Sequence, residues 1–261
     1  MESNCPNCNA VIDGKFCSNC GQRKYKRINK KYIWDEIQYV LLHANKGLLY
    51  SVKTILKNPG RTAREFVEGK RINHYKPILL VFLLSGIAAF ISFKLIGFKE
   101  LMQDIYSQRG MYSDFMGEAF SFFAGYSSFI MLCLIPFFAI FSRIAFRKWG
   151  HNYYEHIVMN AYIISFYTMV EIIVLYPLVY FLKNNVEIIE ILHLLNFCVI
   201  PVFLVWFYKG FYKERSLKSI ILKVLLFMLL VFVAYMLCVI AFTFLYLGIY
   251  GVEAAERLQL K

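Results

Sequence analysis

Charge is what this sequence has little of. Only 18% of its 261 residues are Asp, Glu, Lys or Arg, whereas 59% are hydrophobic, and the mean hydropathy is +0.52. A soluble domain of this length sits nearer ~45–50% apolar because it must coat itself in polar groups; this chain lacks the residues for such a coat. No export signal is expected either. The first thirty residues hold two cysteine pairs and a basic run, with no apolar core of the kind a signal needs. The N-terminal head is therefore expected in the cytoplasm, where thiols stay reduced, and its cysteines point to metal rather than to disulfides. Familiar catalytic signatures are absent as well: no P-loop, no G-x-G-x-x-G, no G-x-S-x-G, no H-E-x-x-H and no aspartate-rich magnesium motif. The chain is not expected to be an enzyme.

What is there is unevenly placed. Residues 1–76 carry 15 Lys+Arg against 6 Asp+Glu, a net +9, and residues 77–261 carry 14 against 11, a net +3. A basic, polar head thus precedes a long apolar body, and the boundary falls near Pro77. In the head, Cys5-Pro6-Asn7-Cys8 and Cys17-Ser18-Asn19-Cys20 are two C-x-x-C pairs with eight residues between them. Each pair aims two thiolates at one point, and two pairs complete the four-sulfur shell that zinc prefers, leaving no position for a catalytic water. Asn9 and Gly21, which follow the second cysteine of each pair, are types that tolerate the positive φ of such knuckles. Between the pairs, Asp13-Gly14 reads as a hairpin turn that folds Val11–Phe16 back on itself. Residues 1–22 are thus expected to be a zinc ribbon whose Zn2+ is structural and supplies the folding energy of a module too small for a core. Cys133, Cys198 and Cys238 stand singly in apolar stretches and read as ordinary membrane-helix residues.

Residues 23–31 hold six cations in nine positions, a basic linker suited to anionic lipid at about 1 kcal/mol per cation; lipid is favoured there over nucleic acid. Residues 32–57 show a helical stripe of Ile33, Ile37, Val40, Leu41, Ala44, Leu48, Val52 and Ile55, with Asp35, Glu36, Lys46, Lys53 and Lys57 opposite. This pattern predicts an amphipathic helix at the cytoplasmic interface. Asn58-Pro59-Gly60 stops it, and the capping-box spacing Thr62–Glu65 predicts a second, short helix ending at Gly69. Together, residues 32–76 make a cytoplasmic helical segment.

Three motifs, Asn58-Pro59-Gly60-Arg61, Glu68-Gly69-Lys70-Arg71 and Tyr75-Lys76-Pro77, resemble the signature of an uncharacterised bacterial membrane-protein family of unknown function. That family pairs an N-terminal zinc ribbon with Pro-Gly, Gly-Lys-Arg and Tyr-Pro elements just before its first membrane helix. The resemblance covers the ribbon and residues 48–80 and implies no activity. Its physical content is a capped turn that displays Arg61, Arg64, Lys70, Arg71 and Lys76 at the membrane surface, where a positive-inside anchor is the simplest role.

Five stretches, 77–97, 120–142, 157–182, 188–208 and 220–250, have the ~20 apolar residues that a crossing requires. The fold expected is an all-α membrane protein with a five-helix transmembrane bundle over residues 77–250 and a tail over 251–261. Residues 98–118 carry a net −2, 143–156 a net +2 and 209–219 a net +3. This alternation puts the N-terminus in the cytoplasm and the C-terminus outside, across the cell's inner membrane. Within the third span, His156, Asn160, Tyr167 and Glu171 share one stripe, and Glu171 is the only acid well inside a span; His193 and Asn196 are candidate partners. Polar groups in lipid are costly, so the stripe faces the bundle interior or a wet cavity, either as a proton or ion site or as hydrogen-bonded glue between helices. His151, Glu155 and His156 at the lip invite a metal reading, though a polar belt fits their spacing better. The function expected is a scaffold or adaptor whose head contacts a protein partner or anionic lipid. The alternatives are a transporter or channel component using the stripe around Glu171, and nucleic-acid tethering by the basic head.

Overall fold

The structure is a computed structural model, and it describes residues 3–24, 28–33, 47–110, 114–183 and 185–259. The head opens with β1 (Ser3–Asn4) and β2 (Val11–Ile12), an antiparallel ladder that sets Ser3 opposite Ile12 and Asn4 opposite Val11. A single antiparallel bridge then joins Phe16 to Arg23. Each pairing straddles one cysteine pair. This corrects the expected hairpin: Val11–Ile12 does not fold back on Phe16 through Asp13-Gly14. Gly14 also lacks the positive φ that an Asp-Gly hairpin turn demands. The chain reversals are made by the cysteine knuckles instead.

Helix α1 (Leu48–Lys57) starts after Gly47, which sits in the left-handed region at φ 115°. The single amphipathic helix expected over 32–57 is therefore broken at Gly47, and its stretch 34–46 lies outside the described residues. α1 buries Ser51 and Ile55 and turns Leu49, Tyr50 and Leu56 outward. Helix α2 (Pro59–Val67) starts earlier than its expected Thr62 because Asn58 is the cap: its side chain accepts from the Arg61 N–H at 2.9 Å, and Pro59 occupies the first helical position, where its missing N–H costs nothing. The Thr62 hydroxyl instead contacts the carbonyls of Thr54 and Asn58 at 3.0 and 2.9 Å, tying α1 to α2. α2 ends at Val67 with Glu68 as its C-cap, and Gly69 turns the chain at φ 113°.

The body contains α3 (Pro77–Phe90, continued by a π-helical turn through Ile96), α4 (Phe98–Gln108), α5 (Asp114–Phe146), α6 (Tyr153–Val170, followed by the π-helical Glu171–Leu175), α7 (Tyr176–Leu182), α8 (Val186–Phe211) and α9 (Leu217–Gln259). Among the described residues, five stretches are long and apolar enough to cross a membrane: Pro77–Ile96, Met116–Trp149, Tyr153–Leu182, Val186–Phe211 and Leu217–Phe244. Number and positions agree with the sequence reading. The third and fourth stretches are separate helices, with Asn185 capping α8 through the Ile188 N–H. The expected tail over 251–261 is corrected, because α9 runs on as helix to Gln259. The Glu-Ala-Ala-Glu-Arg-Leu run there is made of good helix formers, and 43 residues make about 64 Å of helix, well beyond a ~30 Å hydrocarbon core.

α6 is the central helix and opens the most buried apolar stretch, Tyr153–Leu182, 56% of whose apolar core is buried against 11% in Leu217–Phe244 of α9. It packs on α3, α5 and α2. α2 is wedged against both α6 and α8, and two glycines permit the approach. A Cβ on Gly60 would collide with the Phe207 carbonyl, and one on Gly210 would come within 2.6 Å of Asn58 Oδ1. The aromatic core gathers at this end, where Phe146 stacks on Tyr208 at 4.2 Å and Phe66 meets Tyr162 edge-on at 5.8 Å. At the other end, Phe122, Phe123, Tyr126 and Phe129 of α5 and Phe232, Tyr235 and Phe244 of α9 are exposed, as a lipid-facing surface requires.

Candidate metal centre

The two knuckles are built alike. In the first, the Asn9 N–H donates to the Cys5 carbonyl and the Cys5 N–H to the Ala10 carbonyl, each at 2.8 Å. In the second, Gly21 N–H donates to Cys17 at 2.9 Å and Cys17 N–H to Gln22 at 2.8 Å. Asn9 at φ 62° and Gly21 at φ 70° occupy the left-handed position that closes each turn, as their types foretold. Every member of one knuckle has its counterpart twelve residues on, and even the bridges Asn4–Val11 and Phe16–Arg23 obey that offset. This internal repeat is legible in Asn-Cys-x-Asn-Cys and Phe-Cys-x-Asn-Cys.

The four sulfurs all lie within 4.8 Å of one another. Cys5 and Cys20 are 3.6 Å apart and Cys8 and Cys17 3.5 Å. Thiolates bound tetrahedrally at ~2.3 Å from one ion are about 3.8 Å apart, so the quartet fits a single metal ion. The sulfurs are also furnished with donors. Asn7 reaches Cys20 and Asn19 reaches Cys8, so each asparagine serves the opposite pair. The backbone amide of Gln22 holds the Cys20 thiol down to about 6. At Cys8 the Ala10 amide pulls the same way, but burial and the neighbouring thiols Cys20 and Cys17 outweigh it and push that group up to about 11. Thiols this close resist ionising together, and a cation among them removes the conflict.

The head is seated on the body. The Gln22 side chain is 2% exposed; its Nε2 donates to the Gly69 carbonyl, and its Oε1 accepts from the N–H groups of Arg71 and Ile72 at 3.1 and 3.3 Å. Pro6 covers Gly69 so closely that a Cβ there would lie 2.9 Å from its Cγ. Further along, Ile28 is fully buried and its carbonyl accepts from Asn152 Nδ2 at 2.8 Å. Part of the expected lipid-contacting basic linker therefore enters the core, while residues 25–27 lie outside the described residues.

The expected row of displayed cations divides. Arg61 is exposed and pairs with Glu65 at 2.9 Å. Arg64 bridges Glu68 at 2.6 Å and Glu214 at 2.9 Å, which raises its pKa, Glu68 contributing most. Lys70 and Lys76 are half-buried. Arg71 corrects the expectation, since it is only 8% exposed. Its Nε donates to the Phe66 carbonyl at 2.9 Å and its guanidinium lies 4.6 Å over the Tyr32 ring, so it closes the C-terminus of α2.

In the third span, Asn160 is buried and donates to Ser142 Oγ at 2.9 Å and to the His156 carbonyl at 2.8 Å. Tyr167 hydrogen-bonds Asn196 of α8, and Tyr176 hydrogen-bonds Ser92 of α3. Glu171 is half-buried between these tyrosines, at the first residue of a π-helical turn. The lip residues gather no metal site among the described residues: Glu155 forms a capping box with Asn152, accepting from its N–H at 2.7 Å, and His156 is buried against Phe146. A cavity of about 270 Å³ opens at the same end, lined by Arg64, Glu68, Trp149, His151, Tyr212 and Glu214 among others; Glu171 takes no part in it.

Residues 45–89 match the model of a family described as a protein of unknown function, DUF3667. The three motifs singled out above fall inside that stretch, and the match fits the resemblance to an uncharacterised family. No curated protein and no solved structure matches the chain.

Proposed function

We propose that this chain is a membrane scaffold or adaptor, without enzymatic activity, whose cytoplasmic zinc ribbon presents a binding face to a protein partner beside anionic lipid. The observation that carries this reading is the seat of the head. Gln22, Pro6 and Ile28 hold it against α2 and α6, so the head forms a fixed platform, and Val11 and Phe16 remain exposed on it. Zinc is the ion that a closed shell of four thiolates suits best, with a structural role because no ligand position is left open. The outward Leu49, Tyr50 and Leu56 of α1, with Lys53 and Lys57 among them, suit a headgroup layer. Orientation follows from charge: the cationic connections 147–152 and 212–216 lie at the head's end of the bundle, around Trp149, Glu214 and Arg215, which favours a cytoplasmic head in the inner membrane. Affinity capture from native membranes tests the adaptor. Full-length protein is expected to retain a partner that both a Val11→Ser/Phe16→Ser variant and a chain lacking residues 1–31 lose. Recovery of the same proteins by all three would overturn it.

A second reading is favoured by the polar cluster at Glu171. π-Helical turns recur at functional sites because they leave the regular ladder, and here one begins at Glu171 while another spans Ile91–Ile96 on α3. An intramembrane acid between two tyrosines would serve a transporter or channel component. Glu171→Gln keeps shape and hydrogen bonding but does not titrate. The scaffold reading expects fold and phenotype to survive this change; loss of a measurable ion flux in a folded variant would promote the transporter.

A further inference from the structure

We infer that metal occupancy of the four-cysteine site latches the head onto the turn that precedes the first span, and that Gln22 is the latch. The inference rests on the reading of the quartet as a metal site.

Gln22 faces both ways. Its backbone N–H donates to Cys20 Sγ, and its carbonyl accepts from the Cys17 N–H at 2.8 Å, closing the second knuckle. The direction of its Cα–Cβ bond is therefore set by the same turn that aims two sulfurs at the metal. Its side chain meanwhile satisfies one acceptor and two donors of the 69–72 turn, namely the Gly69 carbonyl and the N–H groups of Arg71 and Ile72. This primary amide supplies a donor at one end and an acceptor at the other, and both are used in a site with only 2% exposure. Glutamate would lose the donor to Gly69, and asparagine would fall short by one methylene.

The receiving side is shaped for the latch. Gly69 at φ 113° turns its carbonyl toward Gln22, and the absence of a Cβ admits Pro6, the residue after Cys5. One contact therefore comes from each knuckle, Pro6 from the first and Gln22 from the second, and the relative position of the knuckles is what a shared metal fixes. Without the ion, four thiols at these distances have only weak S–H contacts and two short pairings between them, too little to hold a module of about twenty residues. The turn in question leads through Tyr75, whose N–H donates to Ser51 Oγ at 2.6 Å, directly to Pro77 at the start of α3. Metal loss in the head is thereby transmitted to the first span through six residues.

The test is hydrogen exchange on the full chain in detergent, read at the amides of Arg71 and Ile72 in zinc-loaded and chelator-stripped protein, with Gln22→Ala and Gln22→Glu beside wild type. Neither variant touches a sulfur or the backbone groups of the knuckle, so both are expected to keep one zinc. Stripping wild type should speed exchange at both amides by about tenfold or more. Loaded Gln22→Ala should exchange at the stripped rate and gain little on stripping, and Gln22→Glu should lie between. Unchanged exchange on stripping, or slow exchange in loaded Gln22→Ala, overturns the latch. Zinc content measured on the same samples separates the two ideas: a chain that binds zinc but shows no change refutes the latch alone, whereas a chain that binds none refutes the metal site with it.

Discussion

Asn9 and Gly21 do the same work in the two halves of the head, and they show how much a single residue type can specify. A left-handed residue must follow the second cysteine, and both positions carry types that tolerate it. With Asn7 and Asn19 crossing to the opposite pair, the site is a doubled knuckle around one point. Elemental analysis of purified protein is expected to find one zinc per chain and to lose it in a Cys17→Ser/Cys20→Ser variant; full retention would refute the assignment. His74 makes a second prediction. It is 5% exposed and faces Tyr50 at 5.2 Å and Phe66 at 6.2 Å, and burial holds its pKa below the ordinary 6.5. The folded chain thus keeps His74 neutral while the unfolded chain takes a proton near pH ~6.5. Its contribution is present above that value and is lost as pH falls toward the depressed folded pKa. Thermal unfolding in detergent at about pH 7.5 and 5.5 should show wild type losing more than His74→Phe; equal losses would show that the burial of His74 does not matter.

Among the elements, α2 carries the most structural work for its length. It is nine residues long, yet it supplies the Gly60 contact to α8, Phe66 to the core and Arg64 to the α8–α9 connection. In the sequence Asn58-Pro59-Gly60 reads as a helix stop; Gly60 is instead inside a helix, at the crossing with Gly210. Gly60→Ala improves helix propensity by up to ~1 kcal/mol but drives a methyl into the Phe207 carbonyl, and overpacking against a backbone costs about 1–3 kcal/mol. A net drop in melting temperature is expected for Gly60→Ala and Gly210→Ala. Gly125→Ala serves as the control, because its Cβ meets nothing within 4 Å; a Gly60→Ala protein as stable as that control would show that the close crossing does not limit stability. The exposed ion pair Arg61–Glu65 contributes little by comparison.

At the scale of the molecule, packing is polarised. The stacked aromatics Phe146, Tyr208 and Tyr212, the buried Asn160 and the wedge of α2 all lie at the head's end. The other end is held by the smaller cluster of Met102, Ile105 and Ile189 and the Arg109–Glu190 pair. The proposed scaffold gains a rigid face on the side where the head sits, while α9 is largely exposed over Leu217–Phe244. Reporter fusions at residues 1 and 261 are expected to report opposite compartments, cytoplasmic for the first. Both ends on one side would require an even number of crossings and would remove one of the five stretches.

The sequence by itself determined the number and position of the five helices long and apolar enough to cross a membrane and the four-cysteine cluster, because each is written in local composition or short spacing. Twenty apolar residues or two C-x-x-C pairs announce themselves whatever surrounds them. Tertiary structure alone decided where the head sits. Arg71 reads in sequence as one more surface cation, yet partners from residues 32 and 66 make it a buried cap. Gln22 reads as an unremarked polar residue after a knuckle, yet it meets a turn 47 residues away. Such pairings depend on which surfaces the helices bring together, and no periodicity along the chain carries that information.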